Sequence, residues 1–163
     1  MPAVVLAPIH SRNIKCWTTI AHSAVAGSAL TGIAAETTLA IISLAGGSVG
    51  PNGQIKVTAM WSMTGSGTKT LRVRIAGAAF LAVNQTVNLS IRGQCIIENR
   101  NAQNSQITAN VGSQNPFTGT TGTVQLNAVD LSVDQTMIIS GQVASGGETM
   151  ILESYTVETL YGA

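Results

Sequence analysis

The sequence predicts an all-β fold, an antiparallel β-sandwich of jelly-roll type with an extended N-terminal arm, and three observations predict it. Apolar residues recur at every second position in run after run. Clusters of Gly, Asn, Ser and Pro separate the runs. No window of eleven or more residues sets apolar side chains at the three- and four-residue spacing of a capped helix. A period of two turns one face of each run toward a core and the other toward polar surroundings.

The most regular stretch lies between Pro51 and Gly77. Ile55, Val57, Ala59, Trp61 and Met63 alternate, as do Leu71, Val73 and Ile75, and the glycine-bearing link from Thr64 to Lys69 reads as the reversal that joins them in a β-hairpin. Lys56, Thr58, Arg72 and Arg74 occupy the opposite, polar side. Before this stretch, residues 1–35 are rich in Ala, Gly, Ser and Thr without a sustained period, and they read as an N-terminal arm or irregular first strands ahead of a sandwich domain over 36–163.

Further strands are expected over 37–44, 78–83, 86–97, 107–111, 123–130, 135–143 and 149–160, with a loop over 112–122. Ser145-Gly146-Gly147 reads as a tight hairpin joining the last two strands. The shared period places Ile55, Val57, Trp61, Leu71, Val73, Ile75, Leu89, Ile91, Ile139, Ile151 and Val157 in the interior, with Trp61 as a core or interface anchor.

With 163 residues the chain fits one domain. Charged residues make up 9% of it, against a usual share of about 25%, so its surface is polar but uncharged, as expected where other subunits cover much of it. A net charge of +1 argues against a dedicated nucleic-acid binder. The charges are segregated. Residues 1–100 carry every Lys and Arg with Glu36 and Glu98, while the remainder carries Asp130, Asp134, Glu148, Glu153 and Glu158, an asymmetry that favours pairing between the two halves.

Cys16 and Cys95 match no metal or redox spacing, and Cys95 falls in a strand pattern as a buried small hydrophobe. The first residues lack a signal-peptide pattern, and Ala24 to Ala35 is too short to span a bilayer, so no membrane partner is expected and synthesis in a cytoplasm is.

Gly46-Gly47-Ser48-Val49-Gly50 has the form of a nucleophile elbow, but a strand rather than a helix follows it, and both histidines, His10 and His22, precede it. Gly65-Ser66-Gly67-Thr68-Lys69-Thr70 joins two strands and lacks the helix of a phosphate loop. His10, His22 and Cys16 leave a zinc site without its fourth ligand. Asp130 and Asp134 bracket a turn and read as caps of strand ends. The expectation is no enzyme, no cofactor and no metal, with Arg72, Arg74, Lys56 and Trp17 as partner-binding residues.

Glu36-Thr37-Thr38-Leu39, Gly50-Pro51-Asn52-Gly53, Trp61-Ser62, the run from Lys69 to Arg74, Asn99-Arg100-Asn101 with Ser105-Gln106, Asp134-Gln135-Thr136 and Glu153-Ser154-Tyr155 follow one another along the chain. In this order, from about residue 23 to 160, they resemble a β-rich virion module of tailed bacteriophages, which occurs as small capsid-associated proteins and within tail appendages. The resemblance implies a virion structural protein, made in the host bacterial cytoplasm and without catalytic residues. A compact domain with a small-residue arm suits a capsid decoration or cement protein that associates with itself, as a homotrimer, and with the major capsid protein or other virion proteins. A tail-fibre or tail-tip module with a receptor- or glycan-binding role is the alternative.

Overall fold

A computed structural model describes residues 16–32, 35–86, 89–109 and 123–163. Among them are eleven strands: β1 (Thr18–Ser23), β2 (Leu30–Thr31), β3 (Thr37–Leu44), β4 (Gln54–Met63), β5 (Lys69–Ile75), β6 (Ala78–Gln85), β7 (Ser90–Asn99), β8 (Gln106–Thr108), β9 (Gln125–Asn127), β10 (Gln135–Val143) and β11 (Thr149–Leu160). All pairings are antiparallel. One sheet has the order β1-β11-β4-β7-β8-β9, with β2 beside β1 on β11, and the other has the order β3-β10-β5-β6. Their inner faces share one core, so the molecule is the expected β-sandwich.

Alternation accounts for the core. On β4, Ile55, Val57, Ala59, Trp61 and Met63 are buried and the residues between them are partly exposed. On β5, Leu71, Val73 and Ile75 are buried in the same way. Trp61 is 1% exposed, a core anchor. β3, β10 and β11 have the limits expected from sequence, because each is an uninterrupted run closed at both ends by turn residues.

The expected pairing of β4 with β5 is not what forms. β4 pairs with β11 and β7, and β5 pairs with β10 and β6, so the link from Thr64 to Thr68 carries the chain from one sheet to the other. The link at Ser145-Gly146-Gly147 does the same between β10 and β11. Two strands that contribute to one core from opposite sheets show the same period as two neighbours in a hairpin. The hairpin that does form is β5–β6, where Ile75 faces Ala78 across Ala76 and Gly77. Both turn residues have positive φ, 49° and 82°, as a type I′ turn requires.

Two residues expected in the core are elsewhere. Ile151 is only partly buried, while Met150 and Leu152 are buried. A bulge between Leu152 and Ser154 leaves Glu153 without a register partner on β4 and shifts the buried positions from even to odd numbers, so Val157 points inward and Ile151 does not. Leu89 is 68% exposed: of the run expected over 86–97, residues 87 and 88 lie outside the described residues, and Leu89 precedes β7, its carbonyl accepting the Met63 N–H. Ile91 is partly buried against the core. β8 and β9 are shorter than the runs expected there, and residues 110–122 of those runs and loop lie outside the described residues, as do residues 1–15 of the arm.

Candidate interaction surfaces

The outer face of the four-stranded sheet carries Arg72 and Arg74, which alternate with inward Leu71, Val73 and Ile75 on β5. Both reach Glu36, just before β3. Arg74 donates from Nε to Glu36 Oε1 and from Nη2 to Oε2, each at 2.9 Å, and from Nη1 to the Gly77 carbonyl at 3.0 Å. Arg72 Nε lies 3.5 Å from Glu36 Oε2, and its Nη2 donates to Gln142 Oε1 at 2.8 Å. Ser140 on β10 donates to Glu36 Oε1 at 2.5 Å. The Arg74 hydrogen bonds, aided by Ser140 and the charges of both arginines, outweigh partial burial and hold the Glu36 carboxyl down to about 2. The same carboxylate raises Arg74 above its ordinary value. Arg72 Nη1 is buried without a hydrogen-bond partner.

The outer face of the seven-stranded sheet carries Lys56. Its ammonium lies 2.7 Å from Glu158 Oε2 and 4.5 Å from the centre of the Trp17 ring. Register explains the ion pair, since Glu158 is the β11 residue opposite Lys56. One step along, His22, Thr156, Thr58 and Gln94 form a row across β1, β11, β4 and β7. His22 Nδ1 is 2.9 Å from Thr156 Oγ1, and Gln94 donates to Thr58 at 3.3 Å. At the bulge, the Ser62 hydroxyl donates to the Glu153 carboxylate.

The four expected partner-binding residues therefore form two pairs on opposite faces, Arg72 with Arg74 and Lys56 with Trp17. The acids that organise them divide: Lys56 with Glu158 is a pair between the two halves, as the charge asymmetry predicts, whereas Arg72 and Arg74 meet Glu36 within the first half, a pairing that sequence reasoning did not single out. The available signal was the scarcity of charge, because in a chain with so few charges each acid is an obvious candidate partner for a base.

A third charged pair lies inside. Lys69, 0% exposed, donates to the Gly65 carbonyl at 2.7 Å and lies 3.5 Å from Glu148 Oε1. Glu148 accepts the Gly67 N–H, and chiefly this bond holds its carboxyl below the usual range. The pair ties the 64–68 link to the 144–148 link. The glycine-rich stretch that resembled a phosphate loop thus folds its lysine back onto its own backbone.

The other residues weighed for chemistry are placed as follows. Ser48 sits in the turn between β3 and β4, its N–H bonded to the Ala45 carbonyl at 3.2 Å. Asp130 accepts the N–H and hydroxyl of Ser132, which lower its carboxyl, and Asp134 accepts the Gly46 N–H at 2.8 Å. Burial pushes the Cys95 thiol up to about 12, while Cys16 is exposed. Among the described residues no three His, Cys, Asp or Glu side chains come together as a metal site; His10 lies outside them. No helix among them is long and apolar enough to cross a membrane.

No protein-family model matches the chain, and no curated protein matches it in sequence. Among solved structures, the chain is similar to the CBM2 module of the evolved Dit of Lactobacillus casei BL23 phage J-1, with 8% identity and a TM-score of 0.41 over 91% of this chain and 98% of that one.

Proposed function

We propose that the chain is a structural subunit of a bacteriophage virion, a capsid decoration or cement protein that associates with copies of itself and binds the head lattice through its uncharged sheet faces. It works without catalysis, cofactor or metal. The observation that carries the self-association is the disposition of charge. Four of the six described Lys and Arg side chains are in ion pairs within the chain, and much of the rest of the outer faces is uncharged, with Thr58, Thr156 and Gln94 on one sheet and Ile41 and Ile138 on the other. Such faces have little net charge to keep subunits apart, and covering them avoids the cost of desolvating charges, provided that their hydroxyl and amide groups meet hydrogen-bond partners. The virion setting rests on the resemblance of the ordered segments from Glu36 to Tyr155. The test is light scattering of the purified protein combined with binding to undecorated capsids. Binding that weakens in an Arg72→Ala, Arg74→Ala double variant supports the reading, whereas a stable monomer that ignores capsids overturns it.

One observation favours a tail module with a glycan-binding role. Trp17 is partly exposed and Tyr161 is 55% exposed, and both follow or precede strand residues at the same end of the β1–β11 pair. Two aromatic rings at one end of a sandwich are a minimal sugar platform. Binding of cell-surface glycan that is lost in Trp17→Ala, with capsid binding absent, would select this reading.

A further inference from the structure

The four sheet edges differ in how they are closed. In the seven-stranded sheet one edge is divided between β1 and the two-residue β2, and the other is the three-residue β9. In the four-stranded sheet the edges are β6 and β3, each of eight residues. Side chains cap carbonyls of β6: Asn127 donates to Ala79 O at 3.1 Å, Cys95 to Phe80 O at 3.6 Å and Gln85 to Asn84 O at 2.9 Å. On β3, among the described residues, the backbone of Leu39 to Leu44 is bonded through β10 alone, so alternate N–H and C=O groups face outward. The strand, Thr-Thr-Leu-Ala-Ile-Ile-Ser-Leu, contains no charge and no proline, and Ile41 is 70% exposed on its outer side beside Ile138. A long, uncharged, apolar edge of this kind is a template for another strand.

We propose that β3 is a self-association edge, on which β3 of a second copy pairs antiparallel about a two-fold axis near Ile41. This inference deepens the self-association reading given above and rests on it. A two-fold contact sets every residue near its axis against its own copy, so a charge there would oppose itself; β3 has none. Centring the axis on Ile41 joins Ile41 to Ile41 of the second copy and Ala40 to Ile42, with an Ile138 flanking the Ile41 pair on each side. The two four-stranded sheets become one eight-stranded sheet, with the outward backbone groups satisfied and the exposed isoleucines covered. The contact joins copies in pairs, and where subunits also close as trimers through other surfaces it links one trimer to the next.

Two measurements test the edge. In a Cys16→Ser background, Ile41→Cys should form a disulfide-linked pair under mild oxidation, whereas Asn84→Cys on β6 should not; equal cross-linking at both sites, or none at Ile41→Cys, overturns the proposal. Ile41→Lys, at an exposed position, should leave the melting temperature of the isolated subunit unchanged. It should weaken association roughly 100-fold and remove the exchange protection that association gives the outward-facing β3 amides, while those bonded to β10 stay protected. Association that survives Ile41→Lys unchanged refutes the β3 contact and leaves self-association standing. A wild-type chain that stays monomeric at every concentration removes both.

Discussion

The link from Thr64 to Thr68 and the turn at Ala76-Gly77 look alike in sequence, since each holds glycine between alternating apolar runs, yet the first crosses between sheets and the second reverses within one. Ala76-Gly77 is two residues long with both φ angles positive, a geometry that matches the twist of adjacent strands and closes a hairpin locally. The 64–68 link has no such local solution. It is held by its counterpart at 144–148: Thr64 N–H donates to Thr149 O, and Ala144 N–H to Thr68 O, each at 3.0 Å, with Lys69 and Glu148 between them. A hairpin can be specified by two residues, whereas an inter-sheet crossing depends on residues about 80 positions apart.

If crossings depend on the core between the sheets, the largest loss should come from that core. Trp61→Ala, at a 1% exposed site on β4, is expected to cost about 3–5 kcal/mol in denaturant unfolding, far more than any turn substitution. Lys69→Ala should rank next, because it leaves the Glu148 carboxylate buried without its cation and frees the Gly65 carbonyl. The expected outcome is a clear drop in melting temperature together with faster amide exchange in both the 64–68 and 144–148 links. Loosening of the first link alone would contradict their mutual support.

The hairpin turn should respond on a smaller scale and in both directions. Gly77→Ala places a side chain at φ 82° and should cost roughly 1–2 kcal/mol. Ala76→Asn puts a residue tolerant of positive φ at the first turn position and should gain about 1 kcal/mol or less. Both effects are read as shifts in the unfolding midpoint.

Acid separates the outer face from the turns. The Glu36 carboxyl lies near 2 in the folded chain, below its ordinary 4.5, so its contribution is full above about pH 4.5 and is lost as pH falls toward 2. Glu36→Gln should lower stability at pH 7 and flatten the limb between about pH 4.5 and 2, since the variant has no carboxylate there to protonate. An unchanged acid limb would show that the Arg72–Arg74–Glu36 cluster contributes little.

Much of the fold was legible because alternation is a local property. Thr37–Leu44, Gln135–Val143 and Thr149–Leu160 could be delimited, and the inward faces of β4 and β5 assigned, from residue order alone. Ile151 was not legible, because a one-residue bulge at Glu153 reverses inside and outside without changing the composition of the run. Leu89 continued an alternating pattern into a link, and nothing in its neighbours marks Ser90 as the start of the strand. The surface clusters were half legible: the basic residues stood out, but their acidic partners are brought in by register, Glu158 by β11 and Glu36 by its place beside β3.

The sequence by itself determined the class of structure, the position of the strands and which side of most of them is apolar, since these follow from side-chain period and turn chemistry within a few residues. Tertiary structure alone decided which strands pair, where the bulge falls and which charges meet. Those outcomes depend on hydrogen bonds and packing between residues distant in the chain, and the same two-residue period is compatible with a partner in either sheet.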